Sequence, residues 1–221
     1  MGKKKTEKKN VTFSYFNWGP FLMYTNITEG ECQHLLNGGA KSRLNPNNSM
    51  VDKLAGHLKE EYKLESPKQY VKWMVYYFDA YSQGYNKWRG GGTLKPNFSL
   101  TSLWINYMKA GDFNPPHDHS ADLSFVIFPH VPEELKKENE EFKGTLQGPG
   151  GISWTYGEGG RQCISTVHQF PKTGDMYIFP AHLRHWVFPF KSNVERVSVS
   201  GNLLIDADSR MNYYAGSDEK K

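Results

Sequence analysis

The spacing of apolar positions changes near the middle of the chain. Before Leu100 they recur every three or four residues, as on the buried face of a helix. In "SPKQYVKWMVYYFDAYSQGYNKW", Val71, Met74, Tyr77 or Phe78 and Tyr81 form such a stripe. A helix is predicted there, with Ser66 as N-cap and Pro67 at the first helical position. "SMVDKLAGHLKEEYKL" has the same spacing at Met50, Leu54, His57 or Leu58 and Tyr62, which predicts another helix. A shorter one is expected over "GECQHLLNGG". "TEGE", Thr28 to Glu31, has the form of a capping box ahead of it, and Gly38-Gly39 marks the expected stop. The aromatic run "VTFSYFNWGPFLMYTNI" from Val11 is strand-like and broken at Gly19-Pro20.

From Leu100 the segments become short, β-branched and aromatic, punctuated by Gly, Pro, Asn and Asp. They are "SLWINYMKAG", "DLSFVIFPHV", "GGISWTYGEG", "CISTVHQF", "GDMYIFPA", "HWVFPF" and "ERVSVSGNLLI". Short strands at this spacing predict an antiparallel sandwich or barrel. "PEELKKENEEFKG" reads as a charged helical or looped insertion with a solvated face. The fold class expected is α+β, helices first and then a β-sandwich on which they pack. The divisions are a disordered basic tail at 1–10, a supporting region at 11–98, a β core at 99–206 and a C-terminal tail at 207–221, in one domain.

Composition narrows the classes. A chain of 221 residues, 38% hydrophobic and 14% aromatic, can bury a sizeable core. The net charge of +4 comes from "MGKKKTEKKN", with five lysines against one glutamate; the rest balances. Nucleic-acid binding by the folded part is therefore not expected. "MGKKKT" also fits the loose N-myristoylation pattern, but a solvated tail is the simpler reading. No apolar run approaches the ~18 residues of a membrane helix, and no apolar N-terminal segment reads as a secretory signal. Two cysteines, Cys32 and Cys163, make no disulfide framework. Free thiols in a reducing compartment, the cytoplasm, are expected.

The eight histidines carry the candidate chemistry. His34 and His57 lie in expected helices without a partner motif, and His130 and His168 read as structural strand residues. His117 and His119 form an H-x-H pair at the mouth of a strand. With a period of two, both point to one face and can converge on a metal ion. A third ligand is offered by "GDMYIFPAHLRHWVFPF", through His182 or His185. A facial triad with open positions suits non-haem Fe(II), and the absence of a C-x-x-C pair argues against structural zinc. Arg196 and Ser198 alternate along "ERVSVSGN", eleven and thirteen residues beyond His185, and share a face. A guanidinium fork with a hydroxyl beside a metal is what a dicarboxylate such as 2-oxoglutarate needs.

From Trp104 to Asn202 the chain resembles the 2-oxoglutarate- and Fe(II)-dependent oxygenases of the prolyl-hydroxylase-like type, of the kind found in marine phages and bacteria. The resemblance runs through "WINYMKAGDFNPPHDHSADLSFVIF", "GPGGISWTYGEG" and "GDMYIFPAHLRHWVFPFKSNVERVSVSGN", with "LAGHLKEEY" similar to the lead-in of such proteins. It implies a double-stranded β-helix, or jelly roll, with packed N-terminal helices. His117 would be the first iron ligand and His185 the distal one. Arg196, assisted by Ser198, would hold the tail carboxylate of 2-oxoglutarate, with Asn106 or Tyr107 lining the same pocket. Fe(II) and 2-oxoglutarate with O2 would serve a hydroxylation that releases succinate; a prolyl or other peptidyl side chain is the substrate suggested by analogy. The usual H-x-D triad is altered, because His119 stands where the aspartate would. Either His119 ligates, or Asp122 supplies the carboxylate from the turn, or iron is held weakly; His119 is preferred. A three-histidine cupin-type dioxygenase, independent of 2-oxoglutarate, and a non-catalytic β-sandwich binding or phage structural module are the alternatives. Trp154, Tyr156 and Trp186 would line a pocket or pack the core, packing being the commoner role of such rings.

Overall fold

The computed structural model describes residues 19–53, 55–93, 95–145 and 148–206. The basic tail, the aromatic run up to Trp18 and the C-terminal tail lie outside them. In chain order the elements are β1 (Met23–Asn26), α1 (Glu29–Arg43), β2 (Glu61–Lys63), α2 (Lys68–Trp88), β3 (Phe98–Met108), β4 (Asn114–His117) and β5 (Leu123–His130). They continue with α3 (Glu133–Glu140), β6 (Ile152–Thr155), β7 (Thr166–Gln169), β8 (Asp175–Pro180), β9 (Arg184–Val187) and β10 (Arg196–Ile205).

The strands form two antiparallel sheets, ordered β1-β8-β5-β10-β3-β2 and β4-β9-β6-β7. Successive strands from β3 to β10 are dealt between the sheets, which is the double-stranded β-helix expected from the sequence. β1 and β2 extend the larger sheet at its two edges. The period of two assigns each face of that sheet a task. On β3, Leu103, Ile105 and Tyr107 join Val197 and Val199 of β10 in a core roofed by Leu35 of α1 and Tyr70, Met74, Phe78 and Tyr81 of α2. Met108, Val126, Phe128, Tyr177 and Phe179 point the other way and meet Ile152, Trp154 and Val187 of the smaller sheet. Trp154 is core, as its neighbours Tyr177 and Phe179 at ring centroids of 5.0 and 5.7 Å attest, whereas Tyr156 is exposed and Trp186 half-buried.

Three local expectations are corrected. Residues 49–53 and 55–64 are not helical, and Leu54 lies outside the described residues. Met50 N–H donates to the Glu61 carbonyl, Ser49 bridges Tyr62, and β2 pairs with β3, so strand pairing overrides the helical spacing. α1 does not stop at Gly38-Gly39 but runs to Arg43, behind the predicted Thr28–Glu31 capping box. Those glycines are there for contact: a Cβ on Gly38 would strike the Tyr70 hydroxyl, and one on Gly39 would strike Ile105 and the Tyr107 hydroxyl. α2 begins at Lys68 with Pro67 at the N-cap and no side-chain cap, and Ser66 sits at φ +50°. The charged insertion is helical, α3, and its one buried residue, Leu135, is fully enclosed.

Candidate functional site

β4 and β9 bring the first two histidines together. They pair antiparallel with His117 opposite His185, and the rings lie 4.3 Å apart. The Nδ1 of His117 is 2.7 Å from the Pro115 carbonyl and that of His185 is 2.9 Å from the Leu183 carbonyl. A carbonyl only accepts, so both Nδ1 atoms carry the proton and both Nε2 lone pairs are free to ligate. His119 lies two residues past the end of β4, anchored where its backbone N–H donates to the Ala181 carbonyl, and its ring is 5.1 Å from each of the other two. One ring nitrogen from each of the three lies within 4.8 Å of the others. Burial, followed by the neighbouring His117, pushes the pKa of His119 down to about 4 and that of His185 down to about 3. Both are neutral imidazoles at pH 7, the form that binds metal.

Asp122 is not in this group. Its Oδ2 accepts the backbone N–H of Ile205 at 2.7 Å, which ties the turn after β4 to the end of β10. The expectation that it reaches into the triad is not what the geometry presents. His182 is exposed beside a separate groove, and His168 Nδ1 contacts Ser153 Oγ at 2.7 Å in the smaller sheet. His34 packs on Tyr70, His57 stacks on Phe113 and His130 is exposed, so none joins the cluster.

The three histidines open on a cavity of about 250 Å³ between the sheets, which Arg196, Ser198 and Asn106 also line. Of the paired expectation, Asn106 faces this space. Tyr107 faces the helices instead, its ring under the Arg43 guanidinium at 4.2 Å, as its odd position on β3 requires. Asn106 Nδ2 donates to Ser198 Oγ at 3.4 Å across the β3–β10 pairing.

Arg196 is 1% exposed. Its Nη1 donates to the Gly150 carbonyl at 2.7 Å, Nη2 reaches Met108 Sδ at 2.9 Å, and the guanidinium stacks 5.2 Å over Phe128. Nε has no partner, and among the described residues no carboxylate pairs with the group. Desolvation alone pushes its pKa down to about 10, so it stays charged at pH 7. α3 contributes here: Leu135 packs against Gly150, whose φ of +71° suits glycine, and Asn139 Nδ2 donates to the Pro149 carbonyl. The insertion thus fixes the carbonyl that aims the arginine.

Sequence reasoning missed one wall of the cavity. Glu61, Asn114 and Gly56 line it, and Glu61 is 1% exposed with Oε2 unpartnered. Desolvation, then Asp112, pushes its pKa up to about 7. The segment was expected to be helical, so nothing in its pattern placed this carboxyl beside the histidines.

The donor set suits a ferrous ion. Three imidazoles, two on adjoining strands and one just past β4, leave open the cavity side, and an uncompensated buried cation faces the same space, as an anionic co-ligand requires. Comparison with known proteins agrees. Residues 102–202 match the family described as "Putative 2OG-Fe(II) oxygenase". No curated protein sequence matches the chain. Among solved structures, a Pseudomonas putida prolyl-4-hydroxylase shares 13% identity at a TM-score of 0.56, covering 84% of this chain and 93% of its own. The viral collagen prolyl hydroxylase of Paramecium bursaria Chlorella virus-1, in its 2OG complex, shares 13% at 0.51, covering 84% and 96%. A Trichoplax adhaerens prolyl hydroxylase, solved with a peptide fragment of the hypoxia inducible factor oxygen degradation domain, shares 11% at 0.53, covering 86% of each.

Proposed function

We propose, from the match of residues 102–202 to the 2OG-Fe(II) oxygenase family model, that His117, His119 and His185 hold iron, Arg196 and Ser198 hold 2-oxoglutarate, and the chain hydroxylates a peptidyl side chain. The chemistry that Fe(II) and 2-oxoglutarate supply is oxidation of a C–H bond by O2, coupled to decarboxylation of 2-oxoglutarate to succinate. The observation that carries the assignment is the Arg196 guanidinium: buried, without a carboxylate, and in the histidines' own cavity. Leaving such a charge unpaired costs several kcal/mol on the order of magnitude, and a bidentate carboxylate is its natural partner.

Each residue then has one task. The Pro115 and Leu183 carbonyls orient two imidazoles through their Nδ1–H groups, keeping Nε2 toward the cavity. Trp104 backs the His119 ring at 5.7 Å, and Phe179 backs His185 at 4.9 Å. Phe128, Ile152, Phe179 and Val187 wall the cavity and keep water from the reacting centre. Ser198 offers a hydroxyl, oriented by Asn106, next to the guanidinium. A three-histidine dioxygenase of the cupin type would leave Arg196 without a role. The small cavity favours a substrate that enters by one side chain, and the peptide-bound prolyl hydroxylase of the same fold supports a peptide as its source. Cys32 and Cys163 are free thiols, which fits the reducing cytoplasm as the compartment. Among the described residues no helix is long and apolar enough to cross a membrane.

The test is anaerobic titration of the protein with Fe(II) and 2-oxoglutarate. A weak visible charge-transfer band that needs both additions is expected. If no band appears and calorimetry with Mn(II) shows no binding of 2-oxoglutarate, the assignment fails.

A further inference from the structure

The part of the cavity wall formed by Glu61, Gly56 and Asn114 has no role in the assignment of iron or 2-oxoglutarate. Glu61 projects into it from β2, opposite Asn106 in the strand pairing. Asn114, three residues before His117 on β4, projects from the other side, and its Oδ1 is also buried without a partner. Between them lies Gly56. A Cβ placed there would collide with Asn114 Oδ1 and stand 3.1 Å from Glu61 Oε1, so the two acceptors converge on a spot that only a residue without a side chain leaves open.

Among the described residues nothing donates to Glu61 Oε2 or to Asn114 Oδ1. Glu61 Oε2 has no partner, and the charged group that acts on the carboxyl, Asp112, is another acid, itself 4% exposed. Arg196 lies on the same face, two strands away and one step along, yet its Nη atoms are committed to Gly150 and Met108. Lys53 lines the cavity too, but it is exposed and makes no ion pair with Glu61. Buried carboxyls in proteins are paired, coordinated or neutralised. Two converging acceptors beside a second acid are matched by a group with several N–H donors and a positive charge.

We propose that this wall is the specificity subsite of the enzyme, and that the primary substrate enters with an ammonium or guanidinium group that docks between Glu61 and Asn114. The substrate class is thereby a lysyl, arginyl or related cationic side chain, with the carbon to be oxidised lying between its charged end and its backbone. The raised pKa of Glu61 accords with this, because a cation in the subsite restores the charged carboxylate. The proposal rests on the oxygenase reading, since it takes the three histidines as the reacting centre.

The test uses the full chain loaded with Mn(II) and 2-oxoglutarate, and the tripeptides acetyl-Gly-X-Gly-amide with X as lysine, norleucine, arginine or citrulline. Calorimetry reads binding, and succinate release with Fe(II) reads turnover. The lysine or the arginine peptide is expected to bind about tenfold or more tighter than its neutral counterpart, the loss typical of a charged hydrogen bond. Glu61→Gln should erase that preference and leave 2-oxoglutarate affinity at the parent value, and Glu61→Asp should keep part of the preference. Equal binding of charged and neutral peptides, binding of none, or a preference that survives in Glu61→Gln overturns the proposal. Altered 2-oxoglutarate affinity in Glu61→Gln also overturns it, and assigns the carboxyl to the co-substrate. Failure of the parent to bind 2-oxoglutarate is a different result, which removes the oxygenase assignment itself.

Discussion

His117 and His185 face each other across the β4–β9 pairing, and each holds its ring by an Nδ1–H bond to the carbonyl two residues earlier in the chain. The two imidazoles are thus oriented by backbone, before any metal is present. His117→Ala and His185→Ala should each abolish Mn(II) and Fe(II) binding, beyond the ~10–100-fold loss that follows removal of an outer partner. His117 is only half-buried, so its variant should keep the parent circular dichroism. Metal binding by either variant at parent affinity refutes the ligand assignment.

His119 and Asp122 separate by the same measurement. His119→Ala should lose metal. Asp122→Ala should retain it and lose roughly 1–3 kcal/mol of stability, because the Ile205 N–H is left without its acceptor. The opposite pair of outcomes would make Asp122 the third ligand.

Arg196→Ala should leave metal affinity near the parent value and weaken 2-oxoglutarate by about 2–5 kcal/mol, read by calorimetry with Mn(II). Arg196→Lys should recover only part, as an ammonium lacks the planar fork and cannot reach both Gly150 and a carboxylate in the same geometry. Unchanged 2-oxoglutarate binding in Arg196→Ala would make the arginine structural.

Glu61 gives a pH signature in the metal-free protein. Its folded pKa, about 7, is above the ordinary glutamate value of 4.5, so the folded state holds a proton that the unfolded state has released between those limits. Stability from this group is therefore present at pH 4 and lost as pH rises to 7 and beyond, by at most on the order of 3 kcal/mol. Glu61→Gln should melt higher than the parent at pH 8, by about 2–4 °C per kcal/mol regained, and match it near pH 4.5. Parallel melting curves for the two proteins across that range would contradict the burial of an unpaired carboxyl.

Gly39→Ala tests the seat of α1 on the larger sheet. The added methyl collides with Ile105 and Tyr107, so overpacking should cost about 1–3 kcal/mol in denaturant titration. A neutral effect would mean that the helix shifts freely over β3.

Much of this arrangement was legible because it follows simple periods. The α2 stripe, the Thr28–Glu31 cap, β3 and the strands from β5 to β10 announce themselves in the sequence pattern, and His185 and Arg196 occupy strand positions whose faces can be counted, whereas β4 was not expected and His119 lies just past it. The choice between Asn106 and Tyr107 could not be made, since residues 103–108 are buried on both faces and the run carries no alternation. β2 was hidden for another reason. Its three residues draw their conformation from distant β3, while their own neighbourhood has helical spacing. Glu61 was lost with it. The glycines of α1 misled because a contact with Tyr70, Ile105 and Tyr107 is invisible along the chain.

The two-faced sheet sets the terms on which this enzyme can change. On β3 and β10, positions 104, 106, 196, 198 and 200 border the cavity, while 103, 105, 107, 197 and 199 seat the helices. Change in the first set acts on the pocket and its grip on the co-substrate without loosening the helical roof, and drift in the second acts on thermostability. Evolvability of the pocket is thus built into the alternation of the strand, as neighbouring codons answer to different selective pressures.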